Sequence, residues 1–460
     1  MKNESVNFTN EQLEELKALL EGQGYQIGNS SVVPDWTSKL ETTEKGSIKQ
    51  TNNNCRIVLE NDPILKEALK FNELRHGIDV VTDLGWARDG EAFSDVDEAN
   101  ILMYMEQNYG LNTDTQISRA IKTVANENRF HPIRNKLLSL KWDGKKRLNH
   151  VLKHFLGVTP TELSTESLKL FMLGAIDRVF NPGCKFEYML CIVGGQGAGK
   201  STFIRFLALN DEWFCDDIKQ LSDKDVFEHL QGHWILEMPE MTAILHAKYV
   251  EDTKAFLSRQ KDNYRIPYDK YAMDHKRQCV FAGTSNKIQF LPPDKSGNRR
   301  FLPIEAGMEE AEVHILEDEK ASREYFEQLW AEVMEIYLSG DFSLTLSKEL
   351  QKELILVQAR YMPEDHIETS IVNYIEEEQP EYVCAWMLYE NALGKPHMQK
   401  PENWESAAIG EIMNNKFKDE YQYLKSHVFA EYGTQRAWKR IKNSDFRAIT
   451  KQEEMELPFK

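Results

Sequence analysis

Apolar positions recur along this chain with two different periods, and the change from one to the other divides it into parts. In FTNEQLEELKALLE (8–21), Leu13, Leu16, Leu19 and Leu20 share one helical face, and Gly22 and Gly24 end the element. Residues 36–54, including ETTEKGSIKQTNNN, are short of apolar residues and read as a flexible polar linker. From Cys55 the pattern becomes globular, and residues 55–160 are expected to form a mainly helical N-terminal domain. NDPILKEALKFNEL, DEANILMYMEQNYG and TQISRAIKTVANEN predict helices, and GIDVVTDLGWARDG predicts short strands and turns. HPIRNKLLSL begins a helix with Pro132 at its first position, and WDGKKRL follows as a turn.

TESLKLFMLGAIDRVF (165–180) predicts a helix stopped by Asn181, Pro182 and Gly183. Between 186 and 305, apolar strand-length runs alternate with helical stretches, the mark of a parallel sheet with crossover helices. An α/β domain is therefore expected over 161–305. Residues 306–365 follow as an acidic segment, read as a solvated loop and helix, and a helical lid. Residues 366–460 close the chain as a small domain. There SAAIGEIMNNKFKDEYQYLKSHVFAEYGTQRAWKRIK predicts a helix, a longer helix, and a turn at Gly433 followed by Arg436, Trp438 and Arg440. That is a winged-helix-like layout, in which Arg436 and Arg440 would touch DNA phosphate; a helical cap on the preceding domain is the alternative.

Composition narrows the class. Of 460 residues, 41% are hydrophobic and 28% charged, as in globular proteins. No apolar run approaches the roughly 20 residues of a membrane helix. The N-terminus MKNESVNFTNEQLEEL is polar and acidic, unlike a signal peptide, so a cytoplasmic location is expected. The six cysteines are scattered without a CxxC pair or zinc-like Cys/His spacing, so reduced thiols and no structural metal site are expected. A net charge of −18 speaks against a surface coated in nucleic acid. Two segments run against that average: 253–277 and 416–442 each hold seven Lys or Arg against three acids.

The most informative chemistry is GGQGAGKST (194–202), which follows the apolar run YMLCIV and opens the helix KSTFIRFLAL. Its spacing fits GxxxxGK[ST], a phosphate loop. Gly194, Gly195, Gln196, Gly197, Ala198 and Gly199 would turn backbone N–H groups toward phosphate oxygens, and the helix N-terminus would add its positive end. Lys200 would neutralise phosphate charge, Ser201 would ligate Mg²⁺, and Thr202 completes the nucleotide-binding run. In HWILEMPEM (233–241), Glu237 ends an apolar strand and Glu240 follows Pro239; one carboxylate would hold Mg²⁺ and the other polarise the attacking water. CVFAGTSN ends in Asn286, a candidate sensor of the terminal phosphate. DKSGNRRF carries Arg299 and Arg300, candidates for a finger reaching a neighbouring subunit's nucleotide. A GTPase is excluded: Asn286-Lys287-Ile288-Gln289 has Gln where a carboxylate should read guanine, and the nearby Asp294-to-Gly297 spacing lies after it. A small-molecule kinase would share the phosphate loop and the arginines.

The kinase would not need DTKAFLSRQKDNYRIPYDKYAMDHKRQ (252–278), which alternates Arg265, Tyr268, Lys270 and Tyr271 around Pro267 as in a hairpin. Lysines neutralise phosphates while aromatic rings stack on bases, the combination used by single-strand binders. In order, GGQGAGKS, WILEMPEM, TKAFLSRQKDNYRIPY, FAGTSN and SGNRRF resemble the virulence-associated protein E family of phages and mobile genetic islands. HPIRNKLLSLKWDGKKRL, NPGCKFEYML and FEQLWAEVMEIY match it too, so the resemblance runs over about 55–440.

The resemblance implies an α/β P-loop core similar to superfamily-3 helicases of the AAA+ clade. It implies ATP and Mg²⁺ as ligands, DNA as partner and a homo-oligomeric, hexameric ring, with replication proteins as further partners. Lys200 and Ser201 fall on the nucleotide, Glu237 and Glu240 at the metal and water, Asn286 as sensor, and the hairpin (Lys254 to Lys276) in the channel. Arg299 or Arg300 would be the trans finger. The acids form ExxE instead of an adjacent pair, which leaves the base open between Glu237 and Glu240. The 54 residues before Cys55 are too few and too polar for a fused primase, so no priming is expected. The expected function is an ATP-dependent DNA helicase or translocase in replication initiation. The alternatives are a nucleotide-gated loader or remodeller without unwinding and, more weakly, a small-molecule kinase.

Overall fold

Asn54 gathers the polar stretch before it into ordered structure. Its buried side chain donates to the carbonyls of Glu41 (2.8 Å) and Lys49 (2.9 Å) and accepts from the Glu41 N–H (2.9 Å). Leu40 is buried, and Thr42 bridges Ile48. The flexible linker expected over 36–54 is thereby corrected: one buried amide satisfies backbone groups across the stretch and orders it despite its low hydrophobicity. The computed structural model describes residues 25–28, 31–218, 226–241, 250–264, 272–292, 298–363 and 366–441. The helix expected over 8–21 lies outside them. The chain divides into two compact units, Met1–Tyr361 and Met362–Lys460.

The first unit opens with an antiparallel pair, β1 (Tyr25–Gly28) and β2 (Ser31–Pro34). Helix α1 (Asn52–Asn61) is followed by β3 (Leu69–Asn72), β4 (Gly77–Val80), α2 (Asp95–Tyr109), α3 (Asp114–Glu127) and β5 (Arg129–Phe130). Val58, Leu59, Ile101, Met105, Ile117 and Ile121 pack together as a core. The helix expected from NDPILKEALKFNEL is corrected. Asp62, before Pro63, takes the extended backbone (φ −63°, ψ 135°) that a following proline favours, and it ends α1. Residues 69–72 then pair with β4 and β5, and that pairing decides a short apolar run whose period is ambiguous.

Helices α4 (Pro132–Ser139), α5 (Val151–Leu156) and α6 (Glu162–Phe180) lead into the main sheet. Next come β6 (Met189–Val193), α7 (Lys200–Leu207), β7 (Phe214–Cys215), α8 (Val226–Leu230), β8 (Ile235–Met238) and α9 (Val250–Leu257). An antiparallel hairpin, β9 (Lys261–Tyr264) with β10 (Met273–Lys276), precedes β11 (Val280–Ser285) and β12 (Phe301–Glu305). The sheet order is β12-β6-β11-β8-β7 and every pair is parallel, so the fold is mixed α/β with a parallel sheet. Every residue of β6 and β11 is buried, as strands covered on both faces require. Helices α10 (Glu319–Ser339) and α11 (Lys348–Arg360) complete the unit. Trp330 of α10 lies against Trp234 with ring centroids 4.6 Å apart.

The second unit contains α12 (His366–Glu378), β13 (Tyr382–Cys384), α13 (Ala385–Asn391), α14 (Asn403–Lys416), β14 (Tyr421–Phe429) and β15 (Gly433–Arg440). Its antiparallel sheet has the order β13-β15-β14 and packs on Ile371, Ile375, Leu388, Ile409 and Met413. The longer helix expected before Gly433 is corrected. YQYLKSHVF is a strand paired along β15, and Gly433 takes a left-handed φ of +66° at the turn. Its aromatic and β-branched residues suit a half-exposed strand once β15 supplies the partner. Among the described residues no helix is long and apolar enough to cross a membrane, and all six cysteines are free.

Candidate functional site

Three strand ends converge because β11 lies between β6 and β8. Ser285 pairs with Val193 and Gly283 with Met238, so the segments following β6, β8 and β11 open side by side at one sheet edge. Residues 194–199 leave the buried β6 and enter α7 at Lys200. A Cβ at Gly194 would stand 2.5 Å from the carbonyl oxygen of Ala306, so only glycine fits there. Gly199 enters the helix with a left-handed φ of +73°. Gly195, Gln196 and Gly197 are exposed, while Ala198, Gly199 and Thr202 are half-buried.

Lys200 is buried, and its Nζ donates to the carbonyls of Gly194 (2.8 Å) and Gly195 (2.6 Å) and to Asn286 Oδ1 (2.9 Å). Asn286 Nδ2 in turn donates to Glu240 Oε1 (2.6 Å). Glu240 is exposed and holds φ at +49°, an unusual backbone for a non-glycine residue. On the neighbouring strand, Glu237 Oε1 accepts from Ser201 Oγ (2.7 Å) and Thr284 Oγ1 (2.6 Å). Glu237 is 1% exposed, and its Oε2 is buried without a hydrogen-bond partner among the described residues. Burial raises the Glu237 pKa above its usual range; the two hydroxyl bonds oppose this, and the charge of Asp216 adds to it. Burial lowers the Lys200 pKa, against the pull of Glu240 and Glu237.

Chemically, a helix entry ringed by backbone N–H groups favours an anion. A buried carboxylate with one unpaired oxygen beside a serine hydroxyl is a ligand pair for a hard dication. The virulence-associated protein E-like domain model matches residues 137–363 of this chain. The chain carries a virulence-associated protein E-like domain. No curated protein matches it. Among solved structures, the apo structure of the NrS-1 C-terminal region (305–718) is 14% identical, with 85% of this chain and 100% of that one covered at a TM-score of 0.46. Its A-form apo structure is 12% identical, with the same coverage and a TM-score of 0.48.

Sequence reasoning missed two groups at the site of the virulence-associated protein E-like domain. Thr284 is buried on Glu237; its signal was β-alternation, since Ala282 pairs with Glu237 and Thr284 lies two residues on, but this is visible only once the register is known. Asp216 follows β7, on the strand beside β8, where its charge acts on Glu237. The arginines are not brought to the phosphate loop. Phe301 pairs with Met189 and Glu305 with Val193. Arg299 and Arg300 therefore stand at the opposite sheet edge, on the order of 16 Å away at about 3.3 Å per residue. Arg300 bonds Ser258 Oγ (3.1 Å) and pairs with Glu187 (3.3 Å), whereas Arg299 is 67% exposed.

The hairpin of the domain is anchored at its base. Arg277 grips Asp262 through two bonds (2.8 and 3.0 Å), both side chains being buried, and Tyr264 stacks on His275 with centroids 4.1 Å apart. Arg265, Tyr268, Lys270 and Tyr271 lie outside the described residues. Lys254 belongs to α9, not to the hairpin; it is buried and pairs with Glu251 (2.8 Å), a placement that turns it away from solvent. In the second unit, Arg436 is exposed on β15 beside a groove lined by Asn403, Ser406, Gly410 and Asn414 of α14. Arg440 is half-buried and donates to Gln379 Oε1 (2.9 Å), away from that groove.

Proposed function

We propose that this protein is a Mg²⁺-dependent ATPase that works as a DNA helicase or translocase in replicating a phage or mobile element. The observation that carries the reading is the pair of hydrogen-bond chains at one sheet edge. One runs Ser201–Glu237–Thr284 and the other Lys200–Asn286–Glu240. The loop from Gly194 to Gly199, continued by Lys200, Ser201 and Thr202, would hold the phosphates of ATP. Ser201 and Glu237 would hold Mg²⁺, which when bound supplies positive charge between the terminal phosphates. The buried Oε2 of Glu237, without a hydrogen-bond partner among the described residues, fits that role. Lys200 would turn its charge from the loop carbonyls to the phosphates. Glu240, exposed and tied to Asn286, is the stronger candidate for orienting and deprotonating water, with Asn286 sensing the terminal phosphate.

Arg299 and Arg300, far from their own phosphate loop, would serve a neighbour's nucleotide in a ring, for which we propose a hexamer. The segment between β9 and β10 (Arg265, Tyr268, Lys270 and Tyr271) would hold single-stranded DNA in the channel. The order α12-β13-α13-α14-β14-β15 in the second unit supports a winged helix, with α14 and Arg436 toward duplex DNA. Lys254 and Arg440, engaged elsewhere, are not part of this reading. The test is ATP-dependent strand displacement from a forked duplex by the full chain and by Lys270→Ala/Tyr271→Ala. Unwinding by wild type, lost in the variant with basal ATPase retained, is expected. Hydrolysis without unwinding by wild type would favour a loader or remodeller.

A further inference from the structure

His150, His154 and Glu312 meet on the flank of α5, although the glutamate is some 160 residues away in sequence. Glu312 lies 3.0 Å from His150 Nε2 and 2.9 Å from His154 Nδ1, and the three donor atoms all fall within 4.8 Å of one another. The two histidines are one helical turn apart, His150 capping α5 and His154 within it. The His154 ring is fixed in place, stacked on Tyr325 (centroids 5.1 Å, 14°) and edge-on to Phe155 (4.5 Å). Two imidazoles and a carboxylate are the donor set of zinc sites that keep a fourth position for water. Zinc–ligand bonds of about 2.0–2.1 Å put tetrahedral donors about 3.3 Å apart, so the two His–Glu spacings need a shift of a few tenths of an ångström. The two histidine nitrogens, within 4.8 Å of each other, would close by up to about 1.5 Å as the exposed His150 ring turns. Among the described residues, Lys153 Nζ, 4.0 Å from Glu312, is the one Lys or Arg paired with it, and it is long and exposed enough to turn away.

The carboxylate comes from the acidic segment that borders the phosphate loop. Its backbone is tied to α5 by Gly307 N–H to Leu156 O (2.7 Å), Glu309 N–H to Gly157 O (2.9 Å) and Val313 N–H to His154 O (3.1 Å). Three residues after Glu312, the Ile315 side chain stands 3.4 Å from where a Cβ on Gly199 would be, and Ala306 closes on Gly194. We propose that His150, His154 and Glu312 bind one divalent transition-metal ion of the zinc class, which fastens this acidic strap beside the phosphate loop. The site is separate from Ser201 and Glu237, and its imidazoles select against Mg²⁺.

The test uses the full chain without an affinity tag, stripped with a chelator and retitrated with Zn²⁺ against a chromophoric competitor. One equivalent is expected to bind and to survive desalting, with millimolar Mg²⁺ unable to displace it. Glu312→Gln and His154→Ala should each weaken binding at least tenfold, and His150→Ala/His154→Ala should abolish it. Co²⁺ substitution should give the visible d–d absorption of a four-coordinate site in wild type only. Zinc should also raise the unfolding temperature and slow amide exchange across 307–318, neither of which requires ATP hydrolysis. Failure of the folded wild type to retain zinc would overturn the proposal and identify the cluster as ordinary His–Glu hydrogen bonding, as would equal retention by the double variant. Neither result would touch the ATPase reading.

Discussion

Ser201 Oγ donates to Glu237 Oε1 across 2.7 Å, joining the first turn of α7 to the end of β8. The same oxygen accepts from Thr284 on β11, so three adjacent elements fix one carboxylate while its other oxygen has no hydrogen-bond partner among the described residues. Thr284 thus positions Glu237. Thr284→Val removes a hydrogen bond to a charged group, about 1.5–3 kcal/mol. If that stabilisation is specific to the reacting state, kcat for ATP should fall roughly 10- to 100-fold with little change in KM, and Thr284→Ser should restore it. An unchanged kcat in the valine variant would remove Thr284 from the site.

Glu237 makes stability depend on pH. Its folded pKa is raised, so between its usual value of 4.5 and the folded value the native state binds more protons than the unfolded one. That contribution favours folding at low pH and is lost as pH rises through the folded value. Glu237→Gln does not titrate. In thermal melts with a chelator present, the variant's Tm relative to wild type should therefore climb as pH rises above about 4.5 and level off beyond the folded value. A constant offset across that range would contradict the burial argument.

Arg277 and Asp262, both buried, hold the base of the β9–β10 hairpin. Arg277→Ala leaves the buried Asp262 carboxylate only the longer contact to the exposed Arg259 (3.5 Å), at a cost of up to about 3–5 kcal/mol. Arg277→Lys should recover only part of this, because a single ammonium cannot reproduce the two-bond grip. Urea denaturation reads the difference, and a loss below about 1 kcal/mol would show that the hairpin base does not rely on this pair.

Arg299 and Arg300 stand at the sheet edge opposite the phosphate loop, which makes their proposed role testable by mixing. Lys200→Ala and the double variant Arg299→Ala/Arg300→Ala should each be inactive alone. Mixed in equal amounts, they should regain measurable hydrolysis, because some interfaces pair an intact loop with intact arginines. No recovery on mixing, with both variants shown to assemble, would contradict a role in trans.

Local order made much of this fold legible in the sequence. The phosphate-loop spacing sits between an apolar run and a helix, all within 189–207, and Pro132 marked the start of α4. What the sequence does not print is strand order. Glu237 and Asn286 read as strand-end residues, but only the placement of β11 between β6 and β8 brings them to the loop, together with Thr284. The misread segments were settled by pairing that a local pattern does not show. LKFN pairs with β4 and with the distant β5, YQYLKSHVF pairs with β15 just beyond the turn at Gly433, and the 36–54 stretch is ordered by a single buried amide. His150 and His154 stand four residues apart, but Glu312 is some 160 residues away, beyond any local pattern.

The most direct measurement is steady-state hydrolysis of Mg²⁺-ATP, with and without single-stranded DNA, for wild type and Lys200→Ala. Hydrolysis stimulated by the strand in wild type and lost in the variant is the expected result. Hydrolysis by Lys200→Ala at the wild-type rate would contradict the assignment of residues 194–202 to the nucleotide, and with it the central claim.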